Sequence, residues 1–224
     1  MNINQPLLEN SFYHIYNRGN NGDNIFYQQR NYDYFLKKYD QYLSDYVETY
    51  AYCLLPNHFH LLIRVKPYSD FPAKSPSDAI PLIDDTLMTE SNAQDQRNGM
   101  AISPEQRVNE QFRRFFISYS QAISKQESRT GSLFQKPFKR KEVDKESYFT
   151  HLIYYIHANP QKHGICDDFR HYEHSSYGRI LSERPAKLLR QEVIDWYGGK
   201  THYTDFHERS LIVSEKENWF IEED

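Results

Sequence analysis

The stretch VETYAYCLLPNHFHLLIRV, residues 47–65, constrains the fold of this chain more than any other. Two runs rich in aromatic, apolar and β-branched residues flank Pro56-Asn57, a pair of turn residues. A link this short joins antiparallel neighbours, so the stretch reads as a β-hairpin with strands Val47–Leu55 and His58–Lys66. Side chains alternate along a strand, so His58 and His60 share one face while Phe59 and Leu61 point the other way. Two imidazoles a few ångströms apart can share one divalent cation. The spacing alone is equally that of two histidines on a half-exposed strand.

The remaining elements arrange themselves around this hairpin. Ser11–Asn17 alternates large and polar residues and reads as a strand, followed by the turn cluster Arg18–Gly22. Tyr32, Phe35, Leu36, Tyr39 and Leu43 recur at steps of three and four, which predicts a helix over Gln29–Leu43. Ser103-Pro104-Glu105-Gln106 is a helix start with Ser103 as cap and proline at the first position. That helix is expected to run to about Ser128. Phe138–Val143 reads as a short basic strand. A further helix follows Asp144 and is expected to stop at Asn159-Pro160. The order implies an α+β fold: a ferredoxin-like βαββαβ antiparallel sheet with a trailing helix. Residues 1–165 form this domain. Residues 166–224 read as a C-terminal extension with short helices near Ser176–Ser182, Leu188–Tyr197 and Tyr203–Arg209, and an acidic tail.

Charge is unevenly spread. The net charge of −4 argues against a general nucleic-acid coat. Between Pro67 and Glu105 there are seven acids and two bases, with five prolines and no sustained period. This segment, about 67–104, reads as an acidic low-order insertion, with a short helical turn at Pro81–Met88. From Arg107 to Lys141 there are nine bases against two acids. A basic helix and strand can follow a phosphate backbone, which makes Arg113, Arg114, Lys136, Lys139, Arg140 and Lys141 candidate DNA contacts. Arg18 in its glycine-rich turn and Lys162 beyond the last helix join them. The 19 Tyr and 14 Phe are expected to build much of the core. Cys53 and Cys166 have no metal-ligand spacing, and the N-terminus lacks a secretory pattern. No apolar run is long enough to span a membrane. A reduced cytoplasmic protein is expected.

The helix after Asp144 carries YFTHLIYYIHANP. Its apolar stripe is Phe149, Leu152, Ile153 and Ile156. At about 100° per residue, Tyr154 falls opposite that stripe and is expected to face solvent. Tyr155 and Asn159 share a flank one turn apart, with His151 one turn earlier. Tyr155 thus lies at the boundary of core and solvent. An edge tyrosine and an amide before proline are both common, and neither says much alone.

Taken together, YHIYNRGN, the His58–His60 strand after LLPN, FQKPFKRK, YIHANPQKHGI and HSSYGR resemble the IS200-like single-tyrosine HUH transposases, and more closely the REP-associated tyrosine transposases. The matching pieces run in that family's order from Phe12 to Arg179, less the acidic insertion. The resemblance implies the ferredoxin-like fold already read from element order. It implies that His58 and His60 hold Mg²⁺ or Mn²⁺, that Tyr155 is the nucleophile and that Asn159 completes the metal site. Relatives commonly carry glutamine there, one methylene longer, so asparagine could act through water. The implied substrate is single-stranded or hairpin DNA, cut through a 5′-phosphotyrosine, by a monomer or a homodimer. Two other activities remain open: a non-catalytic hairpin-binding protein of the same fold, and a phosphodiesterase that uses water with Tyr155 structural.

Overall fold

The computed structural model describes the backbone of residues 6–73, 103–144 and 146–214. The helical turn expected at Pro81–Met88, the acidic tail and nearly all of the acidic insertion lie outside the described residues.

Four strands form one antiparallel sheet: β1 (Phe12–Arg18), β2 (Val47–Leu55), β3 (His58–Val65) and β4 (Lys139–Val143), in the order β2-β3-β1-β4. Helices α1 (Gln29–Leu43) and α2 (Pro104–Gln126) make the crossovers, which gives the βαββαβ ferredoxin-like arrangement. Ser103 caps α2 as its sequence requires, in a reciprocal box with Gln106. Gly19, just after β1, is fixed by close approach: a Cβ there would collide with the Asp23 carbonyl oxygen.

Strand alternation divides the core into two layers. Tyr13, Ile15, Phe59, Leu61 and Ile63 face α1 and α2, where Phe35, Phe112, Phe115 and Tyr119 meet them. Leu55 and Leu62 face the other way, against Leu152, Ile153 and Ile156 of α3 (Glu146–Lys162). The expectation of a core rich in Tyr and Phe holds in both layers.

The C-terminal extension packs on the α3 layer through α4 (Tyr177–Leu181), α5 (Arg190–Trp196) and α6 (Lys200–Ser214). It also covers the outer edge of β2. Leu54 N–H donates to the His174 carbonyl, Ser176 N–H to Tyr52 and Leu189 N–H to Thr49. An exposed strand edge would offer those groups to another chain; here they are satisfied internally. HSSYGR is therefore a structural splice as well as a motif.

Two expectations about α3 are corrected. The helix does not stop at Asn159-Pro160; it continues to Lys162 with Pro160 inside it. Proline removes one backbone donor, and so near the end the remaining bonds suffice, including His163 N–H to the Asn159 carbonyl. The real terminus is a Schellman motif at Gly164 (φ +66°), with Gly164 N–H to Gln161 and Ile165 N–H to Pro160. Nor does Tyr154 face solvent. It is 5% exposed, packed against Phe169, Phe206 and His207, because the extension covers that side of α3.

Candidate active site

The face of β3 that carries His58 and His60 lies beneath α3. Their rings are 5.2 Å apart at right angles. Tyr155 and Asn159 are spaced by four along α3, with His163 four residues on in the turn that follows it, and the three lie over that face. The Tyr155 ring lies 5.6 Å from that of His60. Asn159 Oδ1 lies 3.2 Å from His58 Nε2. The His163 ring lies 4.8 Å from His58. Residues nearly a hundred apart in sequence meet within one chain.

Each imidazole is held from behind. His58 Nδ1 is 2.7 Å from Asn57 Oδ1, whose own amide nitrogen donates to the Gly22 carbonyl. His60 Nδ1 is 3.0 Å from His14 Nε2. Burial pushes His14 down to about 3 and His60 well below the usual histidine range, with neighbouring cationic and imidazole groups adding to the effect. Both rings are neutral at physiological pH, the form that ligates metals.

The residues present fit a divalent cation. With Asn57 accepting from His58 Nδ1–H, His58 Nε2 carries a lone pair, and Asn159 Oδ1 offers another. Two acceptors 3.2 Å apart repel unless a cation or proton lies between them. Neighbouring ligands of Mg²⁺ at ~2.1 Å bonds lie at a similar separation, ~3 Å. Asn159 is fully buried, and its Nδ2 has no hydrogen-bond partner among the described residues. Presenting oxygen rather than nitrogen to His58 therefore leaves a donor unmet, an orientation that suits a cation. The set is nitrogen and amide oxygen only. Among the described residues no group of three or more His, Cys, Asp or Glu side chains is arranged to hold a metal ion.

The basic residues separate by face. Register pairs Arg18 with His58, Tyr16 with Lys139 and His14 with Lys141. Arg18, Lys139 and Lys141 thus belong to the imidazole side of the sheet, and Lys162 lies over the Tyr155 ring at 5.1 Å. Arg140 pairs with Ile15 and projects to the other layer, where it stacks on Phe138 at 4.4 Å and donates to Asn109 Oδ1. Arg113 and Arg114 both bind Glu110 on α2, also in that layer. Lys136 is exposed in the loop before β4. His151 meets Phe206 of the extension at 5.3 Å.

Sequence reasoning gave His14, Tyr16 and Asn57 no part in this cluster. Alternation in FYHIYNR does place His14 and Tyr16 on one side of β1. The sequence carries no signal for which side of β1 matches which side of β3; that is set by pairing register.

No protein-family model matches this chain, and no curated protein matches it. Among solved structures it is similar to one described as the REP-associated tyrosine transposase bound to a REP hairpin. The match covers 82% of this chain and 86% of that one, with a TM-score of 0.54 and 14% sequence identity. At that identity the likeness is one of fold.

Proposed function

We propose that this protein is a metal-dependent single-strand DNA endonuclease and strand transferase acting on hairpin-containing DNA. The observation that carries the reading is the contact of His58 Nε2 with Asn159 Oδ1, one helical turn from Tyr155 against His60. The solved structure of similar fold has a REP hairpin bound, which supports the substrate class.

In this reading the Tyr155 hydroxyl loses its proton and attacks the phosphorus of the scissile phosphodiester. The bond to the 3′-oxygen breaks, and that oxygen takes up a proton as it leaves. The product is a 5′-phosphotyrosine and a free 3′-OH, so bond energy is kept for rejoining. A phenol, with a pKa of ~10, is a better leaving group than an alkyl alcohol, which keeps the linkage reversible. His58, His60 and Asn159 would hold Mg²⁺ or Mn²⁺, which would neutralise charge developing on the phosphate. Lys162 Nζ, 5.1 Å from the centre of the Tyr155 ring, is placed to meet a phosphate brought to that tyrosine. Arg18, Lys139 and Lys141 are placed to hold the strand. One chain supplies all four central residues, which supports a site complete in a monomer. A cytoplasmic setting belongs to the same reading.

The test is incubation with labelled hairpin DNA and Mn²⁺ or Mg²⁺, followed by denaturing electrophoresis. A covalent protein–DNA adduct is expected from the wild type, and none from Tyr155→Phe or in the presence of EDTA. An adduct that persists in Tyr155→Phe would remove Tyr155 as the nucleophile.

One observation favours the second reading, a non-catalytic hairpin-binding protein: Tyr155 is only 5% exposed, so a phosphate must displace cover to reach it. Hairpin binding indifferent to metal, with no cleavage, would select that reading.

A further inference from the structure

We infer that His14 is a positioning residue for the cation site, the acceptor that fixes His60 as its Nδ1–H tautomer and so aims the Nε2 lone pair at the site. This rests on the reading of His58 and His60 as cation ligands, and goes beyond it by assigning a role on β1.

The geometry is specific. His14 Nε2 and His60 Nδ1 are 3.0 Å apart, with ring centroids 5.2 Å apart and 21° between planes, so the two rings meet edge to edge. Tyr16 stacks on both rings, at 4.8 Å from His14 and 5.9 Å from His60. The stack keeps the two nitrogens facing. His14 is 7% exposed and His60 1%, so water cannot substitute for either partner.

Two neutral rings share one proton in this bond, which leaves two arrangements. If His14 donates from Nε2, then His60 Nδ1 accepts and His60 Nε2 must carry the proton, which blocks it as a ligand. If His60 donates from Nδ1, its Nε2 keeps a lone pair for a cation. The second arrangement repeats what Asn57 Oδ1 does for His58 at 2.7 Å. Metal-bound histidines are commonly anchored through the other ring nitrogen, and losing that anchor weakens metal affinity ~10–100-fold. The device is unusual here because the anchor is a second imidazole. It has no fixed acceptor character, and becomes an acceptor only when its own proton sits on Nδ1.

The first test uses unaltered, metal-free protein. Long-range ¹H–¹⁵N correlation spectra of the imidazoles read the tautomer directly. His60 is expected as Nδ1–H and His14 also as Nδ1–H. A His60 found as Nε2–H overturns the inference, whatever the protein's activity. The second test measures Mn²⁺ binding by calorimetry and hairpin binding in EDTA. His14→Phe keeps the aromatic stack and removes the acceptor; Mn²⁺ affinity should fall at least ~10-fold, with DNA binding in EDTA unchanged. His14→Gln can present a carbonyl where Nε2 lies and should bind Mn²⁺ within a few-fold of wild type. Wild-type affinity in His14→Phe would overturn the role. His60→Ala separates the two ideas: if Mn²⁺ binding survives that change, the cation reading of His58 and His60 fails, while the tautomer spectrum still decides what His14 does.

Discussion

His58 Nε2 and Asn159 Oδ1 stand 3.2 Å apart, joined across 101 positions of sequence by the packing of α3 on β3. The pairing predicts how substitutions at Asn159 divide. Asn159→Ala removes an oxygen donor and should lower Mn²⁺ affinity about tenfold, with adduct formation falling in parallel. The fold should survive, since the substitution removes a buried amide whose Nδ2 has no hydrogen-bond partner among the described residues and leaves the apolar packing of α3 in place. Calorimetry for the metal and a denaturing gel for the adduct measure both. Unchanged affinity would remove Asn159 from the site.

The adjacent tyrosines give a second prediction. Tyr154 is packed against Phe169, Phe206 and His207, whereas Tyr155 faces His14 and His60. Tyr154→Phe should retain adduct formation within a few-fold, and Tyr155→Phe should abolish it. Tyr154→Ala should act through stability alone, costing about 3–5 kcal/mol as a large buried ring is lost. Adduct yield per folded molecule and a urea melt separate the two kinds of effect.

Much of this arrangement was legible in the sequence. The hairpin, the boundaries of α1 and β2, and the α2 capping box follow from periodicity, turn residues and a helix start signal that no tertiary contact overrides. The co-facial pair His58 and His60 and the shared flank of Tyr155 and Asn159 follow from strand and helix geometry. What failed did so where tertiary structure decides. Helical rotation puts Tyr154 opposite the sheet, but only the folded extension shows that this side is buried as well. Pro160 looks like a stop until the glycine four residues later supplies a better one. The basic run FKRK looks like one patch until alternation sends Lys139 and Lys141 one way and Arg140 the other.

A buried chain of polar groups ties the extension to α3. His207 Nδ1–H donates to the Tyr203 carbonyl at 2.8 Å, and His207 Nε2 is 3.0 Å from His157 Nδ1. His157 Nε2 is 2.7 Å from Ser176 Oγ, which also accepts the Tyr52 N–H at 2.8 Å. A carbonyl can only accept, so the direction runs from Ser176 O–H through His157 to His207. Ser176→Ala would leave His157 Nε2 and the Tyr52 N–H unmatched and should cost about 1–3 kcal/mol. The melting temperature should fall while the adduct yield of folded protein holds.

The same two histidines make stability depend on pH. Burial lowers His207 from 6.5 to about 4 and holds His157 well below 6.5. Below pH ~6.5 the unfolded chain protonates these rings and the folded chain does not. Their contribution is therefore intact above that pH and is lost as pH falls toward the folded values, at up to about 1.4 kcal/mol per pH unit for each histidine. Urea midpoints taken from pH 7.5 down to 4.5 should drop steeply below 6.5. A flat profile over that range would mean that the pair is not buried and neutral in solution.

The division of basic side chains by sheet face gives the last prediction. Lys139, Lys141 and Lys162 lie on the side of His60 and Tyr155, while Arg113 and Arg114 are engaged with Glu110 and Arg140 is stacked on Phe138 in the opposite layer. A side chain that neutralises a phosphate shows itself as counterion release, and its removal lowers the salt dependence of binding by roughly one unit of slope. Lys139→Ala, Lys141→Ala and Lys162→Ala should each weaken binding of a hairpin oligonucleotide and flatten its dependence on salt. Arg113→Ala and Arg114→Ala should leave the slope unchanged and act on stability, by more than the ~1 kcal/mol of an exposed ion pair, because these side chains and Glu110 are only 16–25% exposed. Titrations at several salt concentrations decide it. If the arginines of α2 carry the slope and the lysines do not, the strand runs over the other face, and Tyr155 is not where the DNA is cut.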